Sequence, residues 1–231
     1  MNIHWQSIDL VMFDMDGTLL DLAFDNLFWQ KAVPQAWAEQ NQHPLEHALT
    51  LLKPQFQAQE GTLNWYSLPY WSDALNIDLT TLKIQYQDHI GLRPQALQLL
   101  EQLKQANKKM WLVTNAHPIV LEIKMQKTGI AGYFDELISS HDLGFAKEQA
   151  SFWHQLEDQY SFEKSRSLFI DDSESVLHAA HHYGIGQVLG ISQPDSQLPK
   201  RQQLKFPAID QLNDLSKGLT PIHLHTQAEH A

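Results

Sequence analysis

The sequence predicts a doubly wound α/β fold, in which a parallel sheet carries helices on both faces and a helical region is inserted. Short apolar runs that end in polar residues recur along the chain, as expected for strands buried on both faces of a parallel sheet. From residue 94 onward these runs alternate with helical patterns. Residues 21–91, between the first and second runs, show helical patterns and no good strand.

Length and composition indicate a globular protein without an affinity for nucleic acid. The 231 residues suffice for one α/β core plus a smaller inserted unit, and 43% of them are hydrophobic. The net charge is −11, so we expect no binding to duplex nucleic acid, which is bound through Lys and Arg. No cysteine is present, which excludes disulfides and thiolate chemistry. We find no secretory signal and no apolar run of about 20 residues, so we expect no membrane association and a cytoplasmic protein.

Four apolar runs predict the strands. Residues 8–13, 110–113 and 168–170 are nearly continuously apolar, and residues 187–191 form a weaker run. The first three runs are each followed directly by small polar or acidic residues. In a doubly wound sheet the ligand binds beyond the carboxyl ends of the strands. We therefore expect these three polar clusters to meet at one edge of the sheet.

Helical periodicity fills the remaining segments. One helix begins near Pro94 and repeats Leu97, Leu100 and Leu103 on one side. Other helices are predicted over residues 118–127, 148–160, the segment after Ser173 (an N-cap candidate), 26–40, 44–59, 64–75 and 79–90. We divide the chain into a core (residues 1–20 and 92–218), a helical cap (residues 21–91) and a flexible tail (residues 219–231).

The sequence Asp14-Met15-Asp16-Gly17-Thr18 carries the most specific chemical pattern. The carboxylates of Asp14 and Asp16 are two residues apart in extended chain, so they face the same side. Two close carboxylates repel each other and require a cation or a shared proton. A hard cation such as Mg²⁺ suits oxygen ligands, and Gly17 allows the chain to turn away sharply. An acidic turn is the alternative, but it rarely takes this five-residue form directly after a buried strand.

Two further patterns follow other predicted strands, and a single lysine lies between them in the sequence. Thr114 and Asn115 can donate hydrogen bonds to phosphate oxygens, although most such pairs only form turns. Lys147 can neutralise a carboxylate and an incoming phosphate, although a lone lysine is usually a solvated surface group, and Lys124 and Lys127 are the alternative lysines. Asp171 and Asp172 complete an acid-rich oxygen site suited to Mg²⁺; helix N-terminal charge would explain one of these acids better than two.

These motifs in this order, FDMDGT, WLVTN, Lys147 and LFIDDS, resemble those of the haloacid dehalogenase (HAD) superfamily, with its Rossmann-like core and inserted helical cap. The resemblance implies that Asp14 is the nucleophile and that Asp16 is the general acid/base, with its backbone carbonyl on the metal. It implies that Thr114, Asn115 and Lys147 hold the phosphoryl oxygens. It also implies that Asp171 and Asp172 complete the Mg²⁺ site, with Asp172 the direct ligand. The acid at position 16 favours phosphoryl transfer over dehalogenation.

Longer strings resemble the bacterial GMP/IMP 5′-nucleotidase branch of this superfamily. They are LLDLAFDNLFWQK (19–31), TLNWYSLPYWS (62–72), TNAHP (114–118), LFIDDSE (168–174) and QPDS (193–196). The resemblance implies a small-molecule phosphomonoester as the partner, namely a purine nucleoside 5′-monophosphate. Aromatic residues of the cap could stack on the base, or they could form the interior of a small helical bundle; they are Phe24, Phe28, Trp29, Trp65, Tyr66, Tyr70 and Trp71.

Several alternatives stay open at this point. The chain could be a phosphatase of a small sugar- or glycolate-type phosphate, a phosphomutase, or a non-catalytic binding module with the same fold. His117 could face the substrate or begin a helix in solvent. His178, His181 and His182 have a helical spacing that could bind Zn²⁺, but an exposed histidine face fits better because no cysteine completes a site.

Overall fold

A computed structural model describes residues 3–219 and contains a six-stranded, fully parallel sheet. The strand order is β3-β2-β1-β4-β5-β6, with crossovers between neighbours that are not consecutive in sequence. The strands are β1 (Leu10–Phe13), β2 (Lys109–Thr114), β3 (Glu136–Ser139), β4 (Ser167–Asp171), β5 (Gln187–Ile191) and β6 (Ala208–Ile209). The predicted doubly wound α/β fold is therefore confirmed.

The central strand β1 is buried on both faces, as its continuous apolar run predicts. Leu10 and Met12 pack into one hydrophobic cluster, and Val11 and Phe13 pack into another on the opposite face. The last residue, Phe13, is in register with Leu112 of β2 and Ile170 of β4. Because the three strands end at nearly the same level, the residues after them lie together at one edge.

From residue 96 onward, helices cover both faces of the sheet. They are α7 (Ala96–Gln105), α8 (Pro118–Thr128), α9 (Ser140–Leu143), α10 (Ala150–Tyr160) and α11 (Glu174–Tyr183). The prediction for Leu97 was wrong: this residue is 47% exposed, whereas Leu99, Leu100 and Leu103 are buried. A spacing of three residues drifts around a helix of 3.6 residues per turn, so the buried stripe takes in Leu99 instead.

Between β1 and β2 the described chain is helical, and we call this segment the helical insertion (residues 21–91). Its helices are α1 (Ala23–Leu27), α2 (Val33–Asn41), α3 (Leu45–Gln57), α4 (Leu63–Tyr66), α5 (Leu68–Leu75) and α6 (Leu79–Gln85), with a π-helical turn (Phe28–Ala32) joining the first two. The stretch predicted as one helix over residues 64–75 is broken at Ser67. The Ser67 side chain accepts a hydrogen bond from the Tyr70 backbone N–H and caps α5, which has Pro69 in its first turn.

The two ends of the helical insertion are hydrogen-bonded to each other. Asp21 N–H donates to the Gly91 carbonyl and Arg93 N–H donates to the Leu19 carbonyl, each over 2.9 Å. Leu20 and Leu92 form an antiparallel bridge between these bonds. The chain thus enters and leaves the helical insertion at neighbouring points. The division into a core domain and a cap domain stays a prediction.

The C-terminal tail and membrane-spanning helices were also considered from the sequence. The predicted flexible tail, apart from Leu219, lies outside the described residues. None of the helices between residues 3 and 219 has the length and apolar character of a membrane span.

Candidate active site

The carboxyl ends of three adjacent strands bring the predicted polar clusters together. Asp14 follows β1 directly, and its backbone N–H donates to the Ile170 carbonyl of β4 over 2.9 Å. Thr114 ends β2 and Asp171 ends β4. Asp14, Thr114 and Asp171 are 6%, 1% and 1% exposed, so polar groups are buried at this edge and need partners.

Lys147 provides the positive charge at the centre of this edge. Its ammonium lies 2.5 Å from Asp14 Oδ1 and 2.7 Å from Asp171 Oδ2, and it donates to the Val113 carbonyl over 3.0 Å. Burial alone would lower the pKa of Lys147, but the Asp14 and Asp171 carboxylates raise it further than burial lowers it. The lysine is therefore charged at neutral pH and lies beside the predicted nucleophile.

Asp14, Asp171 and Asp172 form a cluster that suits a divalent cation. Each offers one carboxylate oxygen, and these atoms lie within 4.8 Å of one another. Burial raises the pKa of Asp14 and of Asp172 to about 7 and that of Asp171 to about 6. Lys147 and Arg201 offset part of this rise; the Arg201 guanidinium lies 3.2 Å from Asp172 Oδ2 and also donates to the Asp172 carbonyl. Three carboxylates with raised pKa values and oxygen donors fit a hard cation such as Mg²⁺.

Gly17 allows the first motif to approach this cluster. Its φ is +84°, in the left-handed region, and a Cβ at this position would lie 2.7 Å from Asp172 Cγ. The turn after Asp16 therefore passes so close to Asp172 that a side chain at position 17 would displace a carboxylate of the cluster.

The side chain of Asp16 does not belong to the cluster of Asp14, Asp171 and Asp172 and pairs with a lysine instead. Its Oδ1 lies 2.6 Å from the ammonium of Lys124, which lies 2.6 Å from Asp25 Oδ2 as well. Lys83 contacts the other oxygen of Asp25 over 3.0 Å. Burial and the Asp25 charge raise the pKa of Asp16 to about 7, and Lys124 opposes that rise. Lys124 and Lys83 together outweigh burial at Asp25 and hold its pKa near 2.

Thr114 and Asn115 are held in defined orientations at the end of β2. Thr114 Oγ1 accepts a hydrogen bond from the Ala116 backbone N–H over 3.0 Å, which leaves its own hydroxyl proton free to donate. Asn115 Oδ1 accepts from the Lys147 backbone N–H, and Asn115 Nδ2 donates to Glu148 Oε2, both over 2.9 Å.

A cavity of about 830 Å³ lies between this edge and the helical insertion. The predicted site residues that line it are Asp14, Asp16, Thr114, Asn115, Lys147, Asp171 and Asp172. The insertion contributes Trp29, Phe56, Trp65, Tyr66 and Trp71 to its wall. Phe24 and Phe28 do not line the cavity; they are 2% and 0% exposed and pack in the interior, whereas base stacking by the residues of the wall stays a prediction.

The structure places the histidines that the sequence offered as candidates. His117 caps α8, where its Nδ1 accepts from the Ile119 backbone N–H over 3.3 Å, and burial lowers its pKa. The rings of His178 and His182 lie with centroids 4.6 Å apart and are tilted by 32° to each other. Among residues 3–219, the group of three or more potential metal ligands is the three aspartates above, and His178, His181 and His182 are exposed.

Several residues at the site had no sequence pattern to mark them. Lys124 was an alternative to Lys147 and instead contacts Asp16, whereas Lys127 pairs with Asp88 at the surface. Arg201 reaches Asp172 from the loop after β5. The sequence signal that could have indicated Lys124 is its helical spacing from Val120 and Leu121, which places a lysine on the apolar face of α8.

Comparisons with known proteins agree with this geometry. Residues 8–184 match a family model described as haloacid dehalogenase-like hydrolase. The chain is 40% identical to the GMP/IMP nucleotidase YrfG of Escherichia coli over 219 residues, covering 95% of this chain and 99% of the relative. It is 25% identical to a phosphoglycolate phosphatase of Vibrio vulnificus, over 82% of this chain and 91% of the relative.

A solved structure shares the fold. The crystal structure of a HAD phosphatase from Thermococcus onnurineus superposes with a TM-score of 0.77 at 19% identity, covering 93% of this chain and 100% of that one. The predicted family resemblance and the predicted enzyme class are thus confirmed. The chain belongs to the haloacid dehalogenase-like hydrolase family and, within it, to the phosphatases.

Proposed function

We propose that the protein is a Mg²⁺-dependent phosphomonoesterase that releases phosphate from purine nucleoside 5′-monophosphates through an aspartyl-phosphate on Asp14. The observation that carries the proposal is the position of Asp14. It belongs at once to the three-carboxylate cluster and to the ion pair with Lys147, at the floor of a cavity with an aromatic wall. A phosphate in this cavity would meet the nucleophile, positive charge and hydrogen-bond donors together.

The carboxylates of Asp14, Asp171 and Asp172, with the backbone carbonyl of Asp16, would hold the cation. When bound, it supplies positive charge that keeps these acids ionised and neutralises phosphoryl oxygens. The Lys147 ammonium adds a second positive charge, in contact with both Asp14 and Asp171. Thr114 and Asn115 donate hydrogen bonds to the phosphoryl group and hold it in line with Asp14.

The reaction proceeds in two displacements. A carboxylate oxygen of Asp14 attacks phosphorus, the bond from phosphorus to the sugar oxygen breaks, and protonated Asp16 gives its proton to that oxygen. Asp16, now ionised, then takes a proton from a water molecule that attacks the same phosphorus, and inorganic phosphate leaves Asp14 free. A pKa of about 7 suits Asp16 to both roles, because each protonation state is accessible near neutral pH.

The wall of the cavity supports a nucleotide as the substrate. Trp65 and Tyr66 from α4 line it together with Trp29 and Phe56. Stacking of a base on an aromatic ring contributes roughly 1–3 kcal/mol per base. A two-carbon phosphate such as phosphoglycolate offers no ring to this wall. The closer relationship to the E. coli GMP/IMP nucleotidase, at 40% identity against 25% for the phosphoglycolate phosphatase, supports the same choice.

A phosphate-release panel tests the proposal. We would measure kcat/KM for 5′-GMP, 5′-IMP, 5′-AMP, 5′-UMP, phosphoglycolate and glucose 6-phosphate, each with Mg²⁺ and with EDTA. We expect the purine monophosphates to be the best substrates, EDTA to remove activity, and the Asp14→Asn variant to be inactive but folded. Sugar phosphates or phosphoglycolate as the best substrates would refute the nucleotidase assignment, and isomerised sugar phosphate without free phosphate would indicate a mutase.

A matched pair of tryptophan variants tests the aromatic wall. Trp65 lines the cavity, whereas Trp37 lies in the same insertion, stacked on His43 with ring centroids 5.7 Å apart, and is not part of the cavity wall. We expect Trp65→Leu to raise KM for 5′-GMP about tenfold, as loss of one stacking contact implies. Trp37→Leu should leave that KM nearly unchanged, and equal effects of the two variants would contradict base stacking at Trp65.

A further inference from the structure

One carboxylate connects the helical insertion to the phosphate-binding end of β2. Tyr66, the last residue of α4, donates its hydroxyl to Glu148 Oε1 over 2.5 Å. The other oxygen of Glu148 accepts from Asn115 Nδ2 over 2.9 Å. Glu148 directly follows Lys147 in the loop before α10. The position of this loop therefore sets both the Lys147–Asp14 contact and the position of Glu148.

The Asn115 side chain is fixed at both of its ends. Its oxygen accepts from the Lys147 backbone N–H over 2.9 Å, and its nitrogen donates to Glu148. This pairing sets the orientation of the amide, since a flipped amide would place a donor against a donor and an acceptor against an acceptor. An amide nitrogen carries two protons, and Glu148 takes one of them. The second proton of Asn115 has the Tyr66 hydroxyl oxygen within reach, since an Asn115 hydrogen bond lowers the Tyr66 pKa, and it becomes available to a ligand that enters the cavity lined by both residues.

We propose that Glu148 is a positioning residue, which orients the Asn115 amide toward the substrate phosphoryl group, and that Tyr66 completes this arrangement when the helical insertion is closed over the cavity. The proposal rests on the phosphatase function proposed above. It extends that function by coupling closure of the insertion to the geometry of a phosphate donor. Glu148 itself does not touch the reacting atoms and acts through Asn115.

The chemistry of the two hydrogen bonds supports this role. Burial, and then the neighbouring Glu148 carboxylate, raise the pKa of Tyr66 well above its usual range, so its phenol remains a donor at neutral pH. Both bonds end on an oxygen of the Glu148 carboxyl group, over 2.5 Å from Tyr66 and 2.9 Å from Asn115. Opening of the insertion would remove the Tyr66 donor from Glu148 and leave the carboxylate held by Asn115 alone.

Three variants separate the parts of this arrangement. In Glu148→Ala the Asn115 nitrogen loses its acceptor, and we expect kcat/KM to fall at least about tenfold and the inhibition constant of inorganic phosphate to rise about tenfold. Glu148→Gln keeps an amide oxygen that can accept from Asn115, so it should rescue activity to within about threefold of the wild type. Tyr66→Phe should show a smaller loss, and adding it to Glu148→Ala should cause no further loss.

Matched controls exclude a general effect on folding. Glu101 is an exposed glutamate that accepts a side-chain hydrogen bond from Gln105 over 3.2 Å, so Glu101→Ala removes a similar bond far from the cavity. Tyr133 packs against the core outside the cavity wall, and Tyr133→Phe is the control for Tyr66. Both controls should keep wild-type kinetics, and circular dichroism should show all variants folded.

The outcomes distinguish this proposal from the proposed function. Glu148→Ala with kcat/KM and phosphate inhibition within twofold of the wild type would overturn the positioning role. Additive losses in the double variant would overturn the contribution of Tyr66 through Glu148. If the wild type hydrolyses no phosphomonoester, the proposed function fails. Calorimetric binding of inorganic phosphate in Mg²⁺ then decides the role of Glu148, with weaker binding by Glu148→Ala supporting it and equal binding refuting it.

Discussion

Replacement of Lys124 by methionine would remove a buried ammonium that two carboxylates share. The Lys124 nitrogen lies 2.6 Å from Asp16 Oδ1 and 2.6 Å from Asp25 Oδ2, and its side chain is 1% exposed. At an effective dielectric constant near 20, each contact is worth about 6 kcal/mol of Coulomb attraction before desolvation. Burying the charges offsets most of this gain, so the net cost of removing one partner is about 3–5 kcal/mol.

We expect the lower end of that range for stability and a larger effect on turnover. Asp25 keeps Lys83 at 3.0 Å, so the loss should be about 3 kcal/mol, or roughly 6–12 °C in Tm for a chain of this size. Asp16 loses the cation that holds its carboxylate toward the helical insertion. Since general acid/base catalysis contributes about 10²–10⁴-fold to rate, a displaced Asp16 should lower kcat about 10- to 100-fold.

The assay compares Lys124→Met with Lys83→Met. Lys83 is equally buried and contacts Asp25 but lies on α6, so its loss leaves the Lys124–Asp16 contact in place. Calorimetric Tm values should fall by similar amounts in the two variants, whereas kcat for phosphate release should fall much further in Lys124→Met. An equal loss of kcat in the two variants would refute the reasoning that Lys124 positions Asp16.

Three more perturbations follow from the same geometry. Lys147→Ala removes the counter-charge of Asp14 and should lower kcat/KM for phosphate release at least about 100-fold. Gly17→Ala adds a Cβ 2.7 Å from Asp172 Cγ and should weaken Mg²⁺ binding, measured by calorimetry, about tenfold. In the metal-free protein the three clustered carboxylates have pKa values raised to about 6–7, so Mg²⁺ must displace protons below that range. Its affinity should therefore rise as pH increases from about 5 to 7, about tenfold per pH unit for each proton released, and then level off.

Each of these predictions has a control or a contrary result. Lys127→Ala removes a surface lysine that pairs with Asp88 and should leave kcat/KM unchanged. Gly61→Ala imposes the same left-handed strain, at φ +77°, with open space around the new Cβ, so it should affect stability and not Mg²⁺ binding. A Mg²⁺ affinity that is constant between pH 5 and 7 would show that the carboxylates are already ionised without metal.

Local patterns in the sequence were sufficient to predict β1, β2, β4 and β5 and the polar residues that follow three of these strands. A continuous apolar run such as residues 8–13 determines a strand buried on both faces, and parallel strands place their carboxyl ends at one edge. The proximity of Asp14 and Asp171 follows from that topology, whereas Lys147 reaches them from the loop before α10. The strand β3 escaped prediction because two of its four residues, Glu136 and Leu137, are exposed and the apolar run is too short to stand out.

The side-chain contacts of Lys124 and of Tyr66 could not be predicted because they join segments that are far apart in the sequence. Lys124 and Asp25 are 99 residues apart in sequence, and Tyr66 and Glu148 are 82 residues apart. Periodicity assigns a residue to a face of its own helix but does not say which side chain of another element it meets. A buried lysine on α8 therefore carried no information about its partners until the helices were packed.

The hydrogen-bonded ends of the helical insertion hold its first and last residues side by side. Leu20 and Leu92 are bridged, and the backbone bonds from Asp21 to Gly91 and from Arg93 to Leu19 enclose them on either side. A different loop or module of any length could span these two points without changing the register of the sheet, because the closure cost grows only slowly with length. Evolution could therefore have exchanged the substrate-facing half of such a protein while the nucleophile and its neighbouring carboxylates stayed in place.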